Sequence, residues 1–200
     1  MIVGVILAAG KSTRMGRSKA LLPCGNDSFV TRLAKTFRHG GADDVIVVSG
    51  PDVVEIEAAL AASGTQARVV ENRDRESGQL SSLQAGLDVA DRPGVEAVLV
   101  GLVDIPLVTA PTVQALIETW HRTHAPIVRP ARDGRHGHPV IFDRRVFADL
   151  RRADPAVGAR AVVRARHAEV VDVPVDDPGA FHDIDTPDDY RRVIGSASGT

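Results

Sequence analysis

The sequence predicts an α/β fold, a three-layer α/β/α arrangement around a mostly parallel sheet with an inserted β-ribbon. Three observations predict it. Apolar, β-branched runs alternate with segments of helical periodicity as far as residue 120. Residues 97–103 form a continuous apolar run, as expected of a central parallel strand covered on both faces. The first apolar run, residues 2–7, opens directly onto a stretch rich in Gly, Ser, Thr and basic residues, the usual join between a strand end and a ligand in such sheets.

The elements follow in order. Residues 2–7 read as a buried strand. In residues 28–38, Phe29, Val30, Leu33, Ala34 and Phe37 recur at helical spacing, and Gly40-Gly41 ends the helix. Residues 45–48 are a short β-branched strand. Residues 53–62 carry Val53, Ile56, Leu60 and Ala61 on one helical side. A strand over 67–70, a helix over 80–89, the strand over 97–103 and a helix over 112–120 after Pro111 complete the alternation. The rhythm then changes. Residues 125–128 and 139–142 are strand-like and flank the Gly- and Arg-rich turn 132–137, which reads as the inserted ribbon. Helices over 146–152 and 159–166, a strand over 170–175 and a helix over 188–194 after Pro187 follow. No repeat or linker interrupts the chain, so residues 1–194 are expected to be a single domain and 195–200 a flexible tail.

Composition narrows the function classes. A formal charge of −2 and only one Trp, one Tyr and five Phe argue against a nucleic-acid surface. No apolar run is long enough to span a bilayer, and the apolar start lacks the charged flank of a signal peptide. The lone Cys24 has no internal disulfide partner, which suits a reducing cytoplasm.

The stretch from Leu7 to Lys19 carries the first chemistry. Ala8, Ala9, Gly10 and Gly16 let a ligand lie against the backbone, while Arg14 and Lys19 add positive charge. This reads as a phosphate cradle. An ordinary solvated loop competes with that reading. A Walker P-loop does not fit, because four residues must separate an earlier Gly from Gly10-Lys11 and that earlier position is Val5. Asp104, in Gly101-Leu102-Val103-Asp104-Ile105-Pro106, ends an apolar strand with a carboxylate. It suits either a turn or a Mg²⁺, which takes one or two carboxylates plus substrate phosphates. In His182-Asp183-Ile184-Asp185-Thr186-Pro187, an extended backbone points Asp183 and Asp185 to one side, where they invite a cation. Asp185 or Thr186 equally suits a cap for the following helix. Asn72 and the segment Ser77-Gly78-Gln79-Leu80-Ser81-Ser82 offer donors and acceptors for a base edge, or a plain N-cap at Ser77. His136 and His138 have no Cys and no acidic cluster nearby to make a zinc site. A basic loop over an anionic acceptor, with Arg129, Arg132 and Arg135, is the more economical reading.

Leu-Ala-Ala-Gly-x-Ser-x-Arg-Met-Gly-x-x-Lys resembles the signature of nucleotidyltransferases that join an NTP to a phosphorylated acceptor, in particular the MobA-like branch and its molybdenum cofactor cytidylyltransferases. The resemblance implies a Rossmann-like sheet of the nucleotide-diphospho-sugar transferase type. It implies nucleotide contacts from Leu7, Ala8, Ala9, Gly10, Asn72, Gly78 and Ser82, and catalytic roles for Arg14, Lys19 and Asp104. Mg²⁺ would be held by Asp104 and Asp185, with Asp183 in reserve. His138 and Arg135 would lie near the acceptor. The Gly158-Ala159-Arg160 segment matches a short family motif, but Asp154-Pro155-Ala156-Val157 replaces the family's usual Gly-Asp before it. The implied reaction uses CTP and molybdopterin and releases pyrophosphate, with a molybdoenzyme or its chaperone as recipient of the product. The rival readings are GTP as donor, a sugar-phosphate-type acceptor, or a non-catalytic delivery protein.

Overall fold

The structure is a computed structural model and describes residues 1–10 and 18–194. Arg14 and the tail 195–200 lie outside the described residues. The chain begins with β1 (Ile2–Ala8), followed by the short antiparallel pair β2 (Pro23–Cys24) and β3 (Asp27–Ser28). Then come α1 (Phe29–His39), β4 (Asp44–Ser49), α2 (Val53–Ala62), β5 (Arg68–Glu71), α3 (Gln79–Ala90), β6 (Ala97–Leu102) and α4 (Ala110–Thr123). The second half holds β7 (Ile127–Arg132), β8 (Arg135–His136), β9 (Val140–Asp143), α5 (Phe147–Arg152), α6 (Ala159–Ala165), β10 (Val170–Pro174) and α7 (Pro187–Ile194).

The main sheet runs β5-β4-β1-β6-β9-β7-β10, with β8 paired to β7. β1 is parallel to both β4 and β6, β4 to β5, and β7 to β10. The expected ribbon forms and is built into this sheet. β9 lies between β6 and β7 and is antiparallel to both. Its residues are buried throughout, Val140, Ile141 and Phe142 included, which is why it takes an interior place rather than an edge.

Alternation along β1 explains the layers. Val3, Val5 and Leu7 face one apolar cluster with Leu80, Leu83 and Leu87 of α3 and with Phe147 and Leu150 of α5. Ile2, Ile6 and Ala8 face the other, with Phe29, Leu33 and Phe37 of α1 and with Leu116 and Trp120 of α4. Phe37 is fully buried and sets two glycines. A Cβ on Gly4 would stand 2.7 Å from its ring and one on Gly101 2.5 Å, so β1 and β6 are stripped of side chains where α1 crosses them. The Ser28 hydroxyl caps α1 in a reciprocal box with Thr31.

Strand order matters more for the site than any single helix. From β1 the chain moves outward to β4 and β5, then returns to the other side of β1 for β6. The direction of winding therefore reverses between β1 and β6. In open α/β sheets the crevice at the carboxyl ends of such a pair is where ligands sit.

Candidate active site

The carboxyl ends of β1 and β6 are tied together. The Val103 amide donates to the Leu7 carbonyl at 3.1 Å, and the Ile105 amide to the Leu102 carbonyl at 3.0 Å. This turn holds Asp104 at the switch point. A second main-chain bond reaches in from the far end of the sequence: the Ile184 amide donates to the Asp104 carbonyl at 2.8 Å. It docks the 183–186 segment beside β6, with Ile184 fully buried as its anchor. Asp185 consequently faces Asp104, while Asp183 is exposed.

Lys19 joins them from the start of the short helical turn Lys19–Leu21. Its ammonium donates to Asp185 Oδ1 and stands 3.7 Å from Asp104 Oδ2. Asp104 Oδ1 is buried with no hydrogen-bond partner among the described residues. Desolvation by burial raises the Asp104 carboxyl above its ordinary range. Lys19 opposes that rise, and the neighbouring Asp185 adds to it. Asp104, Asp185 and Lys19 line one cavity of about 410 Å³ together with Leu7, Ala8, Ala9 and Gly10. Gly78 and Ser82 close its other side from the start of α3. Gly78 has φ +89°, a conformation that suits glycine and turns the chain into the helix.

Several expectations resolve differently. The helix after residue 186 is capped by Thr186, whose hydroxyl bonds Asp189 Oδ2 at 2.7 Å and accepts from the Asp189 amide at 3.1 Å. The capping role therefore falls to Thr186 and not to Asp185. Ser77 does not cap α3: its hydroxyl donates to Asp74 Oδ1, and Gly78 occupies the N-cap position. Asn72 is not on the cavity wall. It is buried behind it, its amide donating to the Ser81 and Ser82 hydroxyls at 2.9 and 3.0 Å while its carbonyl accepts from the Asp74 amide. It braces the turn that carries Gly78 and Ser82. Arg75 and Glu76 also line the cavity, and the sequence reading passed over both. Arg75 packs against Gly50 after β4, where a Cβ would lie 3.1 Å from its guanidinium, and that contact across 25 residues leaves no local signal in the sequence.

A second cavity, of about 570 Å³, adjoins the first and shares Leu7, Gln79 and Leu102 with it. Leu80, Leu83, Val100, Val140 and Phe142 line it with apolar surface. Arg129, His136, Arg160 and Arg164 supply its basic side chains. Asp172 of β10 braces two of these, accepting from Arg129 Nε at 2.7 Å and lying 3.2 Å from His136 Nε2. His138 also lines this cavity, its Nδ1 buried and unpartnered among the described residues, and burial pushes its imidazole pKa down. Arg135 does not line it. That side chain donates to the Phe181 carbonyl at 3.0 Å, and β8 alternation puts His136, itself exposed, on the cavity side instead.

A divalent cation would suit this centre. Hard cations take oxygen ligands, and Asp104 and Asp185 present carboxylate oxygens to the cavity, with Asp104 Oδ1 buried and unpartnered among the described residues.

Comparison with known proteins gives the family and the fold. The Rv0371c protein of Mycobacterium tuberculosis is 31% identical, with a TM-score of 0.82 over 97% of this chain and 98% of that one. A further structure of Rv0371c is a complex with manganese. Nicotine blue oxidoreductase of Paenarthrobacter nicotinovorans is 32% identical over 96% of both chains. A probable molybdenum cofactor guanylyltransferase of Opitutus terrae is 28% identical, covering 96% of this chain and 94% of that protein. The family model of the MobA-like NTP transferase domain matches residues 4–170. With that match over most of its length, and with a strand-end cavity holding Lys19, Asp104 and Asp185, this chain belongs to the MobA-like NTP transferase family.

Proposed function

We propose that the chain transfers the nucleotidyl group of CTP to the terminal phosphate of molybdopterin, with Mg²⁺ as the working metal. The observation that carries this reading is the meeting of Lys19, Asp104 and Asp185 in one cavity that opens into a second, basic and apolar one. The first accommodates a triphosphate and its metal. The second offers apolar surface for a flat organic body and cations for its phosphate.

An acceptor phosphate oxygen attacks the α-phosphorus. The bond from that phosphorus to the bridging oxygen breaks, and pyrophosphate leaves with the electron pair. A phosphate nucleophile is already anionic, so no strong base is required. Positioning and charge neutralisation carry the reaction. A divalent cation held by Asp104 and Asp185 would supply Lewis-acid stabilisation of the developing phosphoryl charge. Lys19 fixes the reacting phosphates from within the cavity, and Arg14 is assigned to the leaving pyrophosphate. Gly78 and Ser82 border the nucleoside, with Asn72 bonding Ser82 directly and reaching Gly78 through the Ser81 hydroxyl. Arg160, His136 and Arg129 receive the acceptor phosphate, with His138 beside the acceptor body.

The Ala8-Ala9-Gly10 form of the loop supports CTP. Relatives named as guanylyltransferases support GTP as a second reading. The reaction belongs in the cytoplasm, with a molybdoenzyme or its chaperone receiving the product.

A thermal-shift comparison of CTP, GTP, ATP and UTP, each with and without Mg²⁺, tests the donor. A ligand at a hundred times its Kd adds about 2.7 kcal/mol, a shift of several degrees for a chain of this size. A Mg²⁺-dependent shift confined to CTP is expected, followed by pyrophosphate release on adding molybdopterin. A shift confined to GTP transfers the assignment to guanylyl transfer. Nucleotide binding without pyrophosphate release favours a delivery protein.

A further inference from the structure

Lys19 sits where a cation is wanted. Its ammonium bonds Asp185 and lies 3.7 Å from Asp104, and its side chain is only 13% exposed. Lys is a compact point charge with three donors, well suited to bridge two carboxylates. Among the described residues, no group of three acidic, His or Cys side chains converges on a metal site. The carboxylates at this centre are therefore few, and a divalent cation would need further oxygens from phosphate or water.

The charges constrain the order of events. Asp104 and Asp185 together carry two negative charges. Lys19 already sets its charge against this pair, and Arg75 and Glu76 on the same wall offset one another, so a divalent cation would have to compete with the Lys19 ammonium for the same carboxylate oxygens. A triphosphate reverses that balance, because it brings negative charge for both cations and oxygens for the metal.

We infer that Lys19 is the resident counter-cation of the Asp104–Asp185 pair in the nucleotide-free chain, and that it excludes divalent metal until a nucleotide's phosphates draw its ammonium away. Lys19 thus has two stations, the carboxylate pair before binding and the phosphates after it. Metal and nucleotide enter as one unit. This inference rests on the nucleotidyl-transfer reading for its second station, but not for its first.

Mn²⁺ provides the test, because the electron paramagnetic resonance signal of the free ion reports binding without any turnover. For the wild-type chain, Mn²⁺ alone is expected to bind at least about tenfold more weakly than Mn²⁺ with CTP or GTP. Lys19→Met and Lys19→Gln remove the charge and are expected to bind Mn²⁺ alone at least about tenfold more tightly than wild type, a modest return for one unit charge at this separation. Lys19→Arg keeps the charge and the weak binding. Adding Asp104→Asn to Lys19→Met abolishes the gain and ties it to this carboxylate pair. Circular dichroism establishes that each variant is folded. Neutral Lys19 variants that bind Mn²⁺ alone no better than wild type would overturn the inference. So would a wild-type chain that binds Mn²⁺ equally well with and without nucleotide while either nucleotide binds. If neither nucleotide binds at all, the transfer reading fails and with it the second station. The first is still decided by the metal-alone titrations.

Discussion

The two adjoining cavities are built from different materials. The first lies at the carboxyl ends of β1 and β6 and uses strand-end main chain with charged groups, Lys19, Asp104 and Asp185 at its centre and Arg75 and Glu76 on its wall. The second extends over β9 and α6, with apolar residues from several elements and basic side chains around them. The difference teaches how the labour is divided. A parallel sheet at its switch point supplies fixed dipoles and carboxylates, which suit phosphate chemistry common to many substrates. Side chains on the antiparallel strand and the short helix supply shape, which suits discrimination between acceptors.

If the division is real, a change in the first cavity should halt turnover and leave the second able to bind. Asp104→Asn is the largest such change. We expect kcat to fall by about 10²–10³ or more, the scale for losing one group that stabilises transition-state charge. Steady-state kinetics with retained acceptor binding checks this. The same variant should melt higher than wild type at pH 7. Burial raises the Asp104 pKa, so the unfolded chain loses its proton first, near pH 3.9, and above that pH ionising Asp104 costs the fold stability. The gain from Asp104→Asn should therefore shrink as pH falls toward 4. A variant that melts lower at pH 7 would show that Asp104 is held mainly by its partners.

Asn72→Ala probes the wall behind the first cavity. It removes the amide that bonds Ser81 and Ser82, and should cost about 1–3 kcal/mol in denaturant unfolding while raising the nucleotide KM. A stability loss without a KM change would separate the brace from the site. Arg160→Ala probes the second cavity. It should raise the acceptor KM about tenfold, near 1.4 kcal/mol, and leave the nucleotide Kd unchanged. An equal effect on both substrates would merge the two cavities into one functional unit.

The smallest effect concerns His138. Burial lowers its imidazole pKa, so the unfolded chain takes up a proton first as pH falls below about 6.5. The fold loses stability from that pH downward. His138→Gln should flatten this loss between about pH 6.5 and 5 and change nothing above it, as read by melting temperature against pH.

Much of this was legible along the chain because the signals were local. β-branched runs and helical spacing marked β1, β4, α1, α2 and β6 within a residue or two of their ends. The Asp104 turn showed itself as an apolar run ending in a carboxylate and Pro106. The segments near residues 10, 78, 104 and 185 were readable as chemistry because Gly, Asp, Ser and Lys there had no packing task to perform. What failed was orientation. Arg135 and His136 are neighbours, and only the pairing of β8 with β7 decides which of them faces the cavity. Asn72 reads as a polar ligand in sequence, yet its partners lie nine and ten residues away.

The sequence by itself therefore determined the alternation of elements, the residue types available for phosphate and metal, and the family, because each is written in local periodicity or in an ordered motif. Only the tertiary structure decided the placement of β9 inside the sheet, the split of labour between Asp185 and Thr186, and the convergence of Lys19 with two carboxylates. These depend on contacts between segments far apart in the chain. The Ile184 amide on the Asp104 carbonyl is the clearest case: one main-chain hydrogen bond, across eighty residues, brings the second carboxylate to the first.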